Sequence, residues 1–364
     1  MATGIDVVHP SEMTPADLVR WNELQTTAPE PAAANPFMSA RFTQAVGRVR
    51  PDARVAILRQ GGERAGYFAH RRGLWGHGRP VGAGVSDRQG AVLHPEASLD
   101  TVRLLRACSL SAWEFDHLGG DQRLFLPHAT ARFASPVVDL ATGFAQYEDR
   151  LRVRSRGFLK TARAQERRMS RQLGPLRFVH DTRDRAALDT LLRWKSAQYR
   201  RTGRRDPFAQ PWFARLVDLL ADSSVPECSG VLSALYAGDR LVAAHFGLRS
   251  RTVFSCWFPA YDRVFGTYSP GRVLYLRMIE AAADSGVRLL DFGRGDAPYK
   301  DSFKTGELSV HEGVVRAPGP GATLHWLRRE PIHAAHRLVR AYPTLKGPAL
   351  RTLAAMGALR MRRQ

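Results

Sequence analysis

The chain has 364 residues, 44% of them hydrophobic, and 54 Lys and Arg against 34 Asp and Glu, a formal net charge of +20. That is enough length for two domains and enough apolar side chain for a sizeable core, which excludes a wholly disordered chain. No apolar run approaches the roughly 20 residues of a membrane-spanning helix, and Cys108, Cys228 and Cys256 stand too far apart for a C-x-x-C pair or a metal-ligand set.

The segment Met1 to Asp6 shows no basic stretch followed by an apolar run, so no secretory leader is expected, and reduced thiols fit a cytoplasmic protein. The positive charge suits an anionic partner such as a phosphorylated cofactor, a nucleic acid or a lipid headgroup. It is matched equally by a basic composition bias, since Arg far outnumbers Lys.

Residues 5–9 predict a strand, and Thr14-Pro15 starts a helix with Thr14 as N-cap and Pro15 in the first turn. A loop over 26–36 and a helix over 39–49 follow. Residues 55–59 and 65–69, around Gly61-Gly62, have the signature of a hairpin. The Gly-rich run 73–90 predicts short strands and loops, 98–109 a helix and 112–118 a strand. These elements make an α/β unit over 1–145.

A second unit is expected over 146–318. Its elements are a strongly basic helix over 155–173, a strand over 176–180, helices over 183–202 and 211–221, and a hairpin over 231–236 and 241–248. A strand over 251–258, a helix over 272–285 stopped by Gly286, a strand over 287–292, a helix from 297 and a strand over 310–316 complete it. Residues 319–364 predict a tail of short helices broken by Pro320, Pro331, Pro343 and Pro348, with nine Lys/Arg against Glu330 alone.

Two segments carry candidate chemistry. Tyr268-Ser269-Pro270-Gly271-Arg272-Val273-Leu274 is a glycine turn that opens a helix, and free amides at a helix start suit a phosphate. Some twenty residues on, Asp291-Phe292-Gly293-Arg294-Gly295-Asp296-Ala297-Pro298-Tyr299-Lys300 leaves a strand through a polar, glycine-broken loop. In the basic helix, Arg152, Arg156, Lys160, Arg163, Arg167 and Arg171 recur at spacings of three and four, opposite an apolar stripe of Phe158, Ala162, Met169 and Leu173. No exposed aromatics interleave with that charge, so nucleic acid ranks below small anionic ligands. P-loop, nucleophile-elbow and H-E-x-x-H patterns are missing, so neither a metal nor a serine nucleophile is expected.

The basic helix from Arg154, the Tyr268 turn with its helix, and the Asp291–Lys300 loop together resemble the GNAT acyltransferase superfamily, and within it the tandem, Fem-like branch of CelD/BcsL-type acetyltransferases. The resemblance spans about 150–305. It implies a mixed-sheet α/β fold of two GNAT-like units in tandem, transfer of an acyl group from acetyl-CoA or another acyl-CoA to an amine or hydroxyl, and no metal. A small-molecule or lipid-linked glycan acceptor and a role in cell-surface polysaccharide modification come with it. So do two alternatives: a Fem-type transferase using aminoacyl-tRNA, and a degenerate, non-catalytic GNAT binding RNA or anionic membrane.

Carried onto this sequence, the resemblance makes Tyr299 the acid that protonates the departing thiolate. Ser269, Gly271, Arg272 and Val273 hold the diphosphate, and the backbone near Trp257 and Phe258 polarises the thioester carbonyl. The sequence departs from the family's Gln/Arg-x-x-Gly-x-Gly/Ala pattern at Tyr268 and Val273, and Arg272 offers a compensating guanidinium. His245, Asp291 and Asp296 are the candidate bases. Arg294, Lys300, Lys304, Lys160, Arg163 and Arg167 are candidate contacts for an anionic substrate. The tail, basic and apolar together, is a candidate for peripheral contact with an anionic membrane.

Overall fold

The computed structural model describes residues 3–295 and 297–319. The first half opens with β1 (Thr3–Val8), α1 (Pro15–Thr26), α2 (Ala40–Val49), β2 (Ala53–Gln60), β3 (Glu63–Arg72), β4 (His77–Pro80), β5 (Val92–Leu93), α3 (Thr101–Ala107), β6 (Ala112–Gly119) and β7 (Ala129–Asp139). Then come α4 (Phe144–Arg154), α5 (Arg156–Leu173), β8 (Leu176–Val179), α6 (Arg185–Arg201), α7 (Pro211–Ala221), β9 (Ser229–Ala237), β10 (Arg240–Arg249) and β11 (Val253–Tyr261). The last elements are α8 (Pro270–Asp284), β12 (Leu289–Asp291), α9 (Pro298–Phe303) and β13 (Gly306–Arg316).

The helix starts follow their capping residues. The Thr14 side chain accepts from the Asp17 N–H while the Asp17 carboxylate accepts from the Thr14 N–H, a reciprocal capping box. Ser39, Asp100 and Asp184 cap α2, α3 and α6 in the same one-way fashion. The turn joining β2 and β3 has Gly61 and Gly62 both at positive φ, as a tight two-residue hairpin requires.

The strands form one mixed sheet in the order β1-β2-β3-β4-β6-β13-β7-β12-β11-β10-β9-β8, with β5 paired to β3. This is the mixed α/β architecture expected. The halves are not side by side along the sequence, however. β13, the closing strand of the expected 146–318 unit, lies between β6 and β7, both within 1–145, and pairs antiparallel with each. β7 in turn pairs with β12. The backbone ladder therefore crosses the 145/146 boundary three times. One hydrophobic cluster does likewise, joining Phe37, Phe42, Val46 and Val81 to Phe213, Leu216, Phe246 and Phe258.

Two features of this sheet create the site. β11 pairs in parallel with β12 only over Val253–Ser255 against Leu289–Asp291, while β11 runs on to Tyr261. The two strands therefore part beyond Ser255 and Asp291. β11 also carries one extra residue against β10, because Phe246 faces Phe258 while Gly247 faces Cys256, which leaves Trp257 as a bulge at the opening.

Candidate active site

A cleft of about 560 Å³ opens where β11 leaves β12. α6 supplies Trp194, Ala197, Gln198 and Arg201 to one wall, and the end of β11 supplies Pro259, Ala260 and Tyr261. The bend at the start of α8 contributes Ser269, Gly271 and Arg272, and Tyr299 and Phe303 come from α9. The bend and the start of α9, about thirty residues apart in sequence, thus border the same space.

The bend is shaped by Ser269, whose φ of 51° and ψ of 51° are left-handed. Its hydroxyl caps no helix amide and instead accepts from Gln165 of α5 at 3.1 Å. Arg272 reaches back to α5 as well, lying 5.1 Å over the Phe158 ring and 3.5 Å from Gln165 Oε1. Nothing inside the protein requires glycine at 271, since an added Cβ would meet Tyr261 Cδ1 at 3.7 Å, an ordinary contact. Val273 is buried in a cluster with Met169, Phe265 and Leu274 and does not line the cleft, so its side chain cannot crowd a ligand at the bend.

Tyr299 stacks on Tyr275 with ring centroids 5.3 Å apart and hydroxyls at 3.4 Å. The Tyr299 ring is 36% exposed while its hydroxyl end sits among protein atoms. That burial pushes its pKa up to about 12, against a smaller lowering by the Tyr275 hydroxyl. A phenol in this state keeps its proton at any ordinary pH and is available only as a donor. α9 is short and has no side-chain N-cap, and its neighbours hold it in place. Arg154 at the end of α4 donates to the carbonyls of Asp301, Ser302 and Lys304, and the Tyr147 hydroxyl donates to that of Phe303 at 3.1 Å.

The other candidate residues divide. Asp291 is buried and accepts from the Ser135 hydroxyl at 2.7 Å and from the Gly293 amide at 2.9 Å, which fixes the loop after β12. Lys300 is buried and donates to the carbonyls of Gly293 at 2.8 Å and Arg294 at 3.2 Å, clasping the same loop from the other side. Arg294 lies 3.3 Å over the Phe133 ring and pairs with Glu312 at 3.2 Å. Lys304 follows the last residue of α9, so it shares no helix face with Lys300, and it pairs on the surface with Asp301 and Glu307. Asp296 lies outside the described residues.

His245 is fully buried, with ring neighbours Phe254 and Tyr275 and no hydrogen-bond partner at either ring nitrogen among the described residues. Burial drives its pKa down to about 3, helped by the nearby charge of Lys195. An imidazole so hard to protonate is a poor base, and it does not border the cleft. Trp257 and Phe258 turn their rings into the core, Trp257 donating its indole N–H to the Val85 carbonyl at 2.7 Å, and neither is among the residues that border the cleft.

The basic stripe is interrupted, because Ser155 breaks the chain between α4, which holds Arg152, and α5. Arg163 pairs with Glu148, and Arg152 with Glu148 and Asp149. Lys160 and Arg167 are exposed. Opposite them Ala162 and Met169 are buried as the apolar stripe predicts. Residues 320–364, which hold nearly all of the expected tail, lie outside the described residues. Among the described residues, no helix is long and apolar enough to cross a membrane, and no cluster of three or more His, Cys, Asp or Glu side chains is arranged to hold a metal ion.

Sequence reasoning missed Asp87. It sits in the loop between β4 and β5, and its carboxylate lies against the backbone of Gly293, where an added Cβ would be 2.7 Å from Oδ2. Its only signal was an acid within a Gly-rich run, which ordinarily means a solvated turn.

Residues 156–301 match the family model described as acetyltransferase (GNAT) domain. No curated protein is significantly similar to the chain. Among solved structures, FemX aligns with a TM-score of 0.55 at 9% identity, covering 88% of this chain and 99% of its own. The C-terminal domain of a putative lysylphosphatidylglycerol synthetase from Agrobacterium fabrum aligns at 0.53 and 12% identity, with 86% and 94% covered. A conserved protein of unknown function from Bacteroides thetaiotaomicron aligns at 0.51 and 11% identity, with 86% and 100% covered. At these identities the likeness is one of fold, and it extends over both halves of the chain.

Proposed function

We propose that the chain, which carries a GNAT acetyltransferase domain over 156–301, is an acyl-CoA-dependent acyltransferase acting directly on an amine or hydroxyl. The observation that carries this reading is the shared cleft: the helix-opening bend at 269–272 and Tyr299 border one space where β11 and β12 part. In it, the Gly271 amide and the guanidinium of Arg272 receive the coenzyme's diphosphate, since Pro270 has no N–H and those of Ser269 and Arg272 are bonded to the Gly266 and Ser269 carbonyls. The backbone at the Trp257 bulge polarises the thioester carbonyl. The acceptor's lone pair attacks the carbonyl carbon, the C–S bond breaks, and Tyr299 gives its proton to the sulfur.

Asp291 and Lys300 act in this scheme by fixing the loop that leads to Tyr299. Arg294 and Lys304, each engaged by acids, remain secondary candidates for an anionic acceptor. For the acceptor we favour a cell-envelope precursor, lipid-linked or polysaccharide, by resemblance to the CelD/BcsL-type enzymes. The net charge of +20 suits work beside anionic lipid. The aminoacyl-tRNA alternative draws on α5, where pairing of Arg163 and Arg152 with acids leaves less free charge than the spacing alone suggested.

The test is thermal denaturation with acetyl-CoA and, separately, with tRNA. A ligand at 100 times its Kd stabilises by about 2.7 kcal/mol. A rise in Tm with acetyl-CoA and none with tRNA supports the proposal. The reverse, with a steep salt dependence, supports the tRNA reading. A shift with neither leaves the non-catalytic GNAT.

A further inference from the structure

Asp87 belongs to the first half of the chain, yet its carboxylate rests on the loop of the second half that leads into Tyr299. Gly293 has φ of +71°, and its missing side chain makes the room that Asp87 occupies. The Gly293 carbonyl is held by Lys300, the residue after Tyr299.

The loop is fastened on both sides of Asp87. Before it, the Val85 carbonyl accepts from the indole of Trp257, the bulge residue of β11. After it, Arg88 is buried and pairs with Asp121, and the Gln89 side chain accepts from the backbone amides of Asp116 and His117 while donating to Asp116 Oδ1. Asp87 is the least engaged of these: among the described residues no hydrogen bond to its carboxylate is found, and its one ion pair is a long one, to His117 Nε2 at 3.9 Å. Its side chain is crowded by protein yet 26% exposed, so solvent reaches it, although it is not itself among the residues that border the cleft beside β11. A rigidly placed carboxylate with no hydrogen bond and one long ion pair is costly to keep and suits an incoming group that brings a proton.

Resting on the acyl-transfer reading above, we infer that Asp87 is the base: it accepts the proton of the acceptor's amine or hydroxyl as that group attacks the thioester. The balance is complete. The acceptor's N–H or O–H proton goes to the Asp87 carboxylate, the new C–N or C–O bond replaces the C–S bond, and the sulfur leaves with the Tyr299 proton. Asp87 then releases its proton to water, and the Tyr299 phenolate takes one back.

The surroundings agree. Burial raises the Asp87 pKa to about 6, with Asp291 on β12 and Asp116 on β6 raising it further and His117 on β6 and Lys300 on α9 lowering it. Tyr199 on α6, whose neighbours in sequence line the cleft, feels the same carboxylate. Asp116 in turn favours the charged form of His117, opposing the effect of its burial.

The experiment is thiol release from acetyl-CoA, with water alone and with glucosamine or ethanolamine as acceptor probes, between pH 5 and 9. For the wild type, the rate rises through about pH 6 to a plateau. The isosteric D87N variant, with Tm and coenzyme-induced stabilisation kept, falls by about 100-fold and loses that rise, and formate restores the rate of Asp87→Ala. Wild-type rate and pH profile in D87N overturn the inference while leaving acyl transfer intact. A loss in D87N that keeps the pH rise, with no formate rescue, assigns Asp87 a structural role and overturns it too. A wild type that releases no thiol above the uncatalysed rate sinks the acyl-transfer reading itself, and this inference with it.

Discussion

Burial decides what each titratable residue near the cleft is able to do. Tyr299, with its pKa pushed to about 12, is a donor throughout the working range, so Tyr299→Phe is expected to lower the rate of thiol release by about 100-fold. It leaves acetyl-CoA's effect on Tm unchanged, because the phenol acts on the sulfur and not on the diphosphate. Thiol release and thermal denaturation of the same sample check both halves of that statement. The histidines set a separate, global effect. His70 and His180 are held to about 4 and His245 to about 3, each chiefly by burial. Unfolding frees all three to protonate near 6.5, so the unfolded state binds more protons between about pH 6.5 and 4, and stability falls as pH drops through that window. Asp87, raised to about 6, works the other way, since its folded form binds the extra proton and its contribution is lost as pH rises. His311, also lowered, adds to the three, and His117, raised, adds to Asp87. Four lowered imidazoles outweigh two raised groups, so Tm is expected to be lower at pH 5 than at pH 7.5. His245→Leu, which removes two unpartnered nitrogens, makes the slope shallower at little cost at pH 7.5. A Tm independent of pH over that range contradicts the burial of these rings.

The start of α8 separates what the fold needs from what a ligand needs. The protein leaves room for a side chain at 271, so Gly271→Val is expected to change stability by no more than about 1 kcal/mol. The same isopropyl group stands where the diphosphate must approach the backbone, so acetyl-CoA affinity falls at least tenfold on the proposed reading, as a coenzyme titration of Tm reads directly. Unchanged affinity means the bend holds no phosphate. This element was legible in the sequence because a glycine turn before an amphipathic run is a local signal. So were the hairpins β2–β3 and β9–β10, whose turns contain Gly61-Gly62 and Gly238-Asp239. Two elements escaped for equally physical reasons. α4 buries only Tyr147 and Leu151, and its N-cap is Gly143, which has no side chain to announce it. β7 carries Pro136 in its interior, which argues against a central strand, yet it is flanked by β13 and β12. Asp87 escaped because its importance comes from Gly293, some two hundred residues away, and no local pattern encodes that contact.

Across the whole molecule, the least legible feature is the path of the sheet. Chain order suggests two units that meet end to end at 145/146, and composition gives no reason to doubt it. The structure sends β13 back between β6 and β7, so the first half's own sheet is closed by a strand from residues 306–316. Without that strand, β6 and β7 lose their shared partner and each presents an unpaired ladder edge to solvent, a recognised route to aggregation. The first half also loses the cover that Phe213, Leu216 and Phe258 give to Phe37, Phe42 and Val46. A fragment of residues 1–145 is therefore expected to be insoluble or to lack a cooperative thermal transition. Co-expression with a fragment of residues 146–319 is expected to restore a soluble, cooperatively melting complex, because the second fragment supplies both the missing strand and the missing apolar face. Calorimetry of the isolated fragment and of the pair decides it. A 1–145 fragment that melts cooperatively alone would show that β13 is an accessory to the first half, and the two units would then be separable in folding as they are in sequence.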